Sequence, residues 1–314
     1  MEARTRSLAD WFTRIRTRQV VLPRFQRYEA WTYRHVEGLL DTVLRGLPAG
    51  ALLVLEIGDT EPFVSRPVVG APETGDRIAE HLLDGQQRLT ALWRSLNDDY
   101  PERTYLLDLN SSDDEEREGD APRTVSFARW ERQGRRYPLW IDDPRQVRQR
   151  KLLPVRLLRP GPDVEEEYKE WAKAASGGST DELIELVQLI SSLRTRVANF
   201  NLPFLSLPVS TPAETALDVF VKMNTSAQPL STFDIVVAQV EAATTESLHD
   251  LIEQLRRDAP GLERFADPSD VVLAAAAYLQ DKPARRGIML GEGFSRYLIT
   301  HWDRLVSGAR RASS

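Results

Sequence analysis

His81-Leu82-Leu83-Asp84-Gly85-Gln86-Gln87-Arg88-Leu89-Thr90-Ala91-Leu92 joins an apolar run to an Asp-Gly turn and then to a helix-forming segment. Ile78–Leu83 reads as a strand, and a helix is expected from Gln86 to about Asn97. A helix opening directly behind a strand presents unpaired N–H groups and a partial positive charge at the turn, a ready place for phosphate. Arg88, one turn in, suits neutralisation of phosphate charge that grows as a bond breaks. Gln86 or Gln87 suits the orientation of an attacking water. Asp84 suits a hydrated Mg2+ or a proton. The same residues also form a plausible capping box, with Asp84 at the N-cap and Gln87 three residues on, which needs no chemistry. The segment by itself leaves both readings open.

Working outward, Leu8, Trp11, Phe12 and Ile15 share one face of an amphipathic helix starting near Ser7. A short extended piece, Val20–Pro23, follows. Thr32 is placed to cap a second helix with the stripe Val36, Leu39, Leu40, Val43 and Leu44, stopped at Gly46. Ala51–Ile57 reads as a buried strand and residues 58–76 as a loop; Tyr105–Leu109, Thr124–Phe127 and Tyr137–Ile141 read as further strands. The acidic run Ser111–Asp120 reads as a loop. Helices are expected over 163–175, 180–198, 212–223, 231–242, 245–257, 268–280 and 290–305, interrupted by a strand at Pro203–Val209. Gly308–Ser314 reads as a frayed tail. The expected class is α+β: residues 1–143 with a mixed sheet, and residues 144–314 mainly helical.

Charged content of 28% and a net charge of −6 are ordinary for a globular chain. No apolar run approaches the length of a membrane span, and the basic N-terminus has no signal-peptide core, so a cytoplasmic protein without a membrane partner is expected. The absence of cysteine excludes disulfides, thiolate metal sites and a Cys nucleophile. His35, His81, His249 and His301 lie too far apart for a metal-ligand spacing, and no Gly-x-x-x-x-Gly-Lys-Ser/Thr motif is present. Charge is uneven: residues 121–160 hold ten Arg and one Lys against three acidic groups. Arg132, Arg135, Arg136, Arg148 and Arg150 are therefore candidates for contact with nucleic acid. A solvated surface from an Arg-biased genome reads the same way, since the chain carries 36 Arg and 5 Lys. Phe25-Gln26-Arg27-Tyr28-Glu29-Ala30-Trp31 interleaves aromatics with Arg and Gln, a pattern suited to stacking on a base. Phe25 and Trp31 read first as core anchors at a strand-to-helix turn, whereas Tyr28, with charged neighbours on both sides, is less easily explained by packing.

Leu83–Leu92 resembles the DGQQR signature of the N-terminal domain of GmrSD-type, modification-dependent restriction enzymes, a family that includes SspE-type phosphorothioate-sensing proteins. Leu22–Trp31 resembles the family's Pro-x-x-Gln-Arg-x-x-x-Trp opening. Val219–Ser231 resembles its Phe-x-x-x-Asn…Pro-Leu-Ser block, with Thr225-Ser226-Ala227-Gln228 where glycine is usual and Lys222 where arginine is common. The resemblance implies a ParB/sulfiredoxin-like α+β core and hydrolysis of a nucleoside triphosphate, GTP or another, with Mg2+. It implies a site of Asp84, Gln86, Gln87 and Arg88, with Gln26, Arg27, Lys222 and Asn224 on the nucleotide. It also implies an apolar pocket that senses modified DNA, for which Pro23, Tyr28 and His81 are the candidates here. The implied partners are modified DNA and a nuclease. No HNH-type pattern occurs in residues 245–314, so the nuclease is expected elsewhere in a longer protein or on a partner. A nucleotide-switched DNA-sensing module without turnover is the competing expectation.

Overall fold

The computed structural model describes residues 1–26, 30–110, 122–223, 231–244, 246–264, 266–291 and 293–313. The first elements are β1 (Glu2–Ser7), α1 (Leu8–Arg16), β2 (Val20–Pro23), α2 (Tyr33–Leu44), β3 (Leu52–Glu56), β4 (Ser65–Arg66), β5 (Glu80–Asp84) and α3 (Gln86–Leu96). There follow β6 (Arg103–Asp108), β7 (Arg123–Ala128), β8 (Trp130–Arg132), β9 (Arg135–Tyr137), α4 (Pro144–Gln149), β10 (Leu152–Pro154), α5 (Val164–Ala175), α6 (Thr180–Ala198) and β11 (Asn201–Leu207). The remainder is helical: α7 (Ala213–Met223), α8 (Thr232–Ala243), α9 (Leu248–Asp258), α10 (Pro268–Tyr278), α11 (Arg286–Met289), α12 (Phe294–Thr300) and α13 (Trp302–Ser313). The fold is α+β, with a mixed sheet and a largely helical second half.

Alternation along β3 explains the layering. Leu52 and Val54 face one core, built with α1, α2, α3, α5 and α6, while Leu53 and Leu55 face a second, built with α7, α8, α9, α10, α12 and α13. Leu82 and Leu83 of β5 divide the same way. A strand buried on both faces reads as a continuous apolar run, as LLVLE does. Each fully buried leucine contributes about 2 kcal/mol. The sheet runs β1-β11-β3-β5-β2-β4. Its β11–β3 and β5–β2 pairs are parallel, and β1–β11, β3–β5 and β2–β4 are antiparallel. A separate antiparallel sheet, β10-β6-β7, packs beside α2, and β8–β9 forms a hairpin of its own.

Several expectations are corrected. Ahead of α1, Glu2–Ser7 forms a strand that the sequence reading did not assign, because β11 supplies a pairing partner for every one of its residues. Ser7 then caps α1 through its Oγ, which accepts from the Asp10 N–H at 3.2 Å. The strand expected over Tyr137–Ile141 stops at Tyr137, and Leu139–Asp142 forms a 3₁₀ turn behind Pro138. The single helix expected over 290–305 is α12 and α13, with the separate short α11 before them. The expected frayed tail is helix α13, fixed by buried Ala309 and by Arg310, which donates to Asp258 at 2.5 Å. The acidic run Ser111–Asp120 lies outside the described residues.

Candidate functional site

At the junction of β5 and α3 the helix is capped by Gly85, in the left-handed region at φ +89°, and not by Asp84. The capping-box reading is thereby corrected, and the reason is steric. A Cβ at Gly85 would collide with Leu52 Cδ2 on the neighbouring strand and would come within 3.3 Å of Arg88 Nη2. Glycine lets the chain turn tightly, which leaves Asp84 as the last residue of β5. Its partly exposed carboxylate lies 3.4 Å from Arg88 Nη2.

Arg88 turns back over the adjoining loop. Nη1 donates to the Ala49 carbonyl and Nη2 to the Ala51 carbonyl, both at 2.9 Å. Burial pulls the Arg88 pKa below the ordinary guanidinium value, and Asp84 opposes that shift. Gly50, at φ +81°, lets the guanidinium approach, since a Cβ there would strike Arg88 Nη1. In this arrangement Arg88 clamps residues 49–51 to the start of α3 and fixes Asp84.

Gln26 joins the opening block to this turn. Its side chain is 3% exposed, and Nε2 donates to the carbonyls of both Leu82 and Leu83 at 2.7 Å. Among the described residues its Oε1 meets no donor. Gln87 Oε1 accepts from the Ala30 N–H at 2.8 Å, and Gln86 is buried at the first position of α3. The first-turn N–H groups of α3 have no acceptor within the helix, so the junction keeps the electrostatics of an anion site. Phe25 packs on Phe220 of α7 with ring centroids 5.5 Å apart, which brings the helix carrying Lys222 to the same block. Arg27, Tyr28 and Asn224 lie outside the described residues.

The surface expected at Pro23 and His81 is corrected, for both are buried. Pro23 ends β2 inside the sheet, and His81 is fully enclosed. His81 Nε2 lies 2.9 Å from Ser65 Oγ and 3.4 Å from Glu61 Oε2, and Phe63 packs against its ring. Hydrogen bonding to His81 holds the Glu61 carboxyl below its usual range. Both neighbours share one imidazole nitrogen, and among the described residues Nδ1 has no partner, so they do not form the relay in which an acid orients the second nitrogen.

The Arg-rich segment divides in two. Arg148 pairs with Glu182 at 2.9 Å, and Arg150 lies over the Trp140 ring at 4.6 Å while donating to the Gln146 carbonyl at 2.8 Å. Arg132, Arg135 and Arg136 are exposed on the β8–β9 hairpin. An open groove of about 680 Å³ lies between the C-terminal ends of α2 and α6, lined by Leu47, Pro48, Arg196, Asn199 and Asn201 among others. It borders the loop that Arg88 holds, but none of Asp84, Gln86, Gln87 or Arg88 lines it.

Beside the opening block sits a carboxyl that the helical periodicity hid. Glu241 of α8 is 4% exposed, and among the described residues no hydrogen bond of ordinary geometry reaches either oxygen. Burial pushes its pKa up to about 7. The Arg24 guanidinium and the Phe25 N–H pull it down, and Asp250 pushes it further up. Arg24 itself is held by both Asp250 oxygens at 2.8 Å, bridging β2 to α9. A carboxyl whose folded pKa lies above its ordinary 4.5 binds the proton more tightly when folded. Its contribution to stability is full below about pH 4.5 and is lost as pH rises towards 7, with a slope of at most about 1.4 kcal/mol per pH unit. Glu241→Gln is expected to flatten that part of the profile in urea titrations across pH 5 to 8; an unchanged profile would show that Glu241 ionises normally.

Among the described residues no helix is long and apolar enough to cross a membrane, and no group of three or more His, Asp or Glu is placed to hold a metal ion. A family model described as the GmrSD restriction endonuclease, N-terminal domain, matches residues 8–241, a span that contains all three motif blocks. The chain is 24% identical over 253 residues to the uncharacterized protein MJ0686 of Methanocaldococcus jannaschii, covering 75% of this chain and 41% of that protein. It therefore spans less than half the length of that relative.

Proposed function

The chain belongs to the GmrSD restriction endonuclease N-terminal domain family, and on that premise we propose that it is a nucleotide-handling module of anti-phage defence. In this reading it binds a nucleoside triphosphate, GTP foremost, at the β5–α3 turn, hydrolyses it, and couples the step to sensing modified DNA such as phosphorothioate DNA. The nuclease it licenses lies elsewhere in a longer protein or on a partner. The core is taken to be of the ParB/sulfiredoxin-like kind. The observation that carries the reading is the meeting of two distant motif blocks at one helix N-terminus, through Gln26 on the Leu82 and Leu83 carbonyls and Gln87 on the Ala30 N–H.

The phosphates would lie against the first turn of α3, where N–H groups and the helix dipole favour negative charge. Gln86 or Gln87 would orient the attacking water. Among the described residues the acidic donor at the turn is the Asp84 carboxylate, which fits Mg2+ delivered on the nucleotide, an ion usually held by one or two carboxylates together with substrate phosphates. Lys222, and Arg27 and Asn224 from the opening and third blocks, would complete the pocket. Arg88 would act as a positioning residue, and would reach phosphate only on leaving the Ala49 and Ala51 carbonyls.

That engagement of Arg88 favours a second reading, a switch that binds nucleotide without turning it over. Phosphate release measured with each of the four NTPs, with and without phosphorothioate DNA, separates the two. Release that depends on nucleotide and changes with the DNA is the expected result. Binding without release from any NTP leaves the switch, and neither binding nor release removes both.

A further inference from the structure

We propose that the β8–β9 hairpin is a DNA-docking ribbon that enters a groove of duplex DNA, with Arg132, Arg135 and Arg136 on the flanking phosphates. The inference rests on the reading of this domain as a sensor of DNA, and adds the surface by which the duplex is held.

Among the described residues the hairpin pairs only with itself: Trp130 opposes Tyr137, Glu131 opposes Arg136, and Arg132 opposes Arg135. Gln133 and Gly134, at φ +53° and +68°, make the tight turn that keeps two short strands in register. Its root is fixed. Arg129 is 5% exposed and donates to both oxygens of Asp142 at 2.7 and 2.6 Å, with Asp98 at 3.5 Å. Trp140 meets Phe127 edge-on at 5.1 Å just behind. A rigid base thus carries a ribbon whose residues 130–136 are all exposed.

The chemistry of that ribbon points to an anion. Arg132 and Arg135 are direct cross-strand neighbours, an arrangement of like charges that disfavours the pairing. Neither they nor Arg136 forms an ion pair among the described residues. A phosphate between two guanidinium forks relieves the repulsion and takes bidentate hydrogen bonds. Trp130, 53% exposed, stacks on Tyr137 at 5.9 Å with an angle of 11° between the rings, and its other face is open to a sugar or base. The shape also fits, because the major groove of duplex DNA admits a two-stranded ribbon. A hairpin built to enter a membrane would carry its apolar side chains at the tip. Here the tip is Arg132-Gln133-Gly134-Arg135, and the aromatic pair stands at the root.

Binding of the protein to a fluorescein-labelled unmodified duplex, and to the same duplex with phosphorothioate linkages, is to be followed by anisotropy over a range of salt. The variant Arg132→Gln/Arg135→Gln/Arg136→Gln is compared with Arg257→Gln/Arg285→Gln/Arg304→Gln, which removes as much charge from exposed positions elsewhere. The hairpin variant is expected to bind about tenfold or more weaker, with the slope of log affinity against log salt reduced by about two to three. The control variant is expected to keep the wild-type slope. Arg132→Gln alone, which leaves the hairpin pairing intact, is expected to flatten the slope by about one. Wild-type-like binding by both hairpin variants overturns the ribbon while leaving the DNA-sensing reading in place. Failure of the wild-type protein to bind either duplex overturns both. Hairpin-dependent sedimentation with phosphatidylglycerol vesicles in the absence of duplex binding also overturns the proposal, and makes the hairpin a membrane element.

Discussion

Gln26→Leu is expected to lower the free energy of unfolding by about 3 kcal/mol, because it strips the shared donor from two buried carbonyls at once. Leucine matches the glutamine in size, so the packing around Phe25 and Phe220 is largely kept and the loss isolates the amide. The Leu82 and Leu83 carbonyls both accept from Gln26 Nε2 at 2.7 Å, inside a position 3% exposed to solvent. Water does not reach them readily, so the desolvation cost is carried by the fold. Urea unfolding monitored by the tryptophans measures it. A midpoint shift equivalent to less than about 1 kcal/mol would show that the carbonyls find other donors. Under conditions where the variant stays folded, nucleotide turnover is expected to fall as well, since the same amide ties the opening block to the β5–α3 turn.

Arg88→Ala is expected to reduce phosphate release by about 100-fold or more at saturating nucleotide, with a stability loss of about 2 kcal/mol from the two freed carbonyls. The guanidinium binds Ala49 and Ala51 while facing Asp84 at 3.4 Å, so removing it loosens the loop and the carboxylate together. Arg88→Lys tells the two effects apart. A single ammonium cannot fork between two carbonyls, so a role in positioning predicts partial stability with turnover still low, whereas a role as a mere charge predicts recovery of turnover. Wild-type phosphate release from Arg88→Ala would remove Arg88 from the proposed chemistry.

Much of the first half was legible locally. The apolar run before Asp84, the helix behind it and the helix start near Ser7 follow from periodicity and turn chemistry within a few residues, and the structure has each of them. A capping box and an Asp-Gly turn look alike in sequence; what separates them is the left-handed backbone at Gly85, where a side chain would also crowd Leu52 of the neighbouring strand. Burial of His81 was equally invisible, since alternation along a strand covered on both faces does not mark an outer side. The Arg-rich segment read as one basic patch. Glu182 and Trp140, from other elements, withdrew Arg148 and Arg150 and left the hairpin arginines exposed.

The residue pattern alone determined the class, the family resemblance and the strand-turn-helix at Asp84–Arg88, because those depend on propensities and spacings that act between near neighbours. Tertiary structure decided what that turn is made of. Insertion of β11 between β1 and β3 put a late segment inside an early sheet, and the two faces of that sheet then needed two separate sets of helices. That packing brought Gln26 under Leu82 and Leu83 and folded the loop of Ala49–Ala51 onto Arg88. Such contacts form because buried carbonyls must find donors wherever the chain brings them, and no local pattern encodes which distant side chain will arrive. The DGQQR turn is therefore recognisable as a motif from its letters, while its arginine is recognisable as a clamp only in the folded protein.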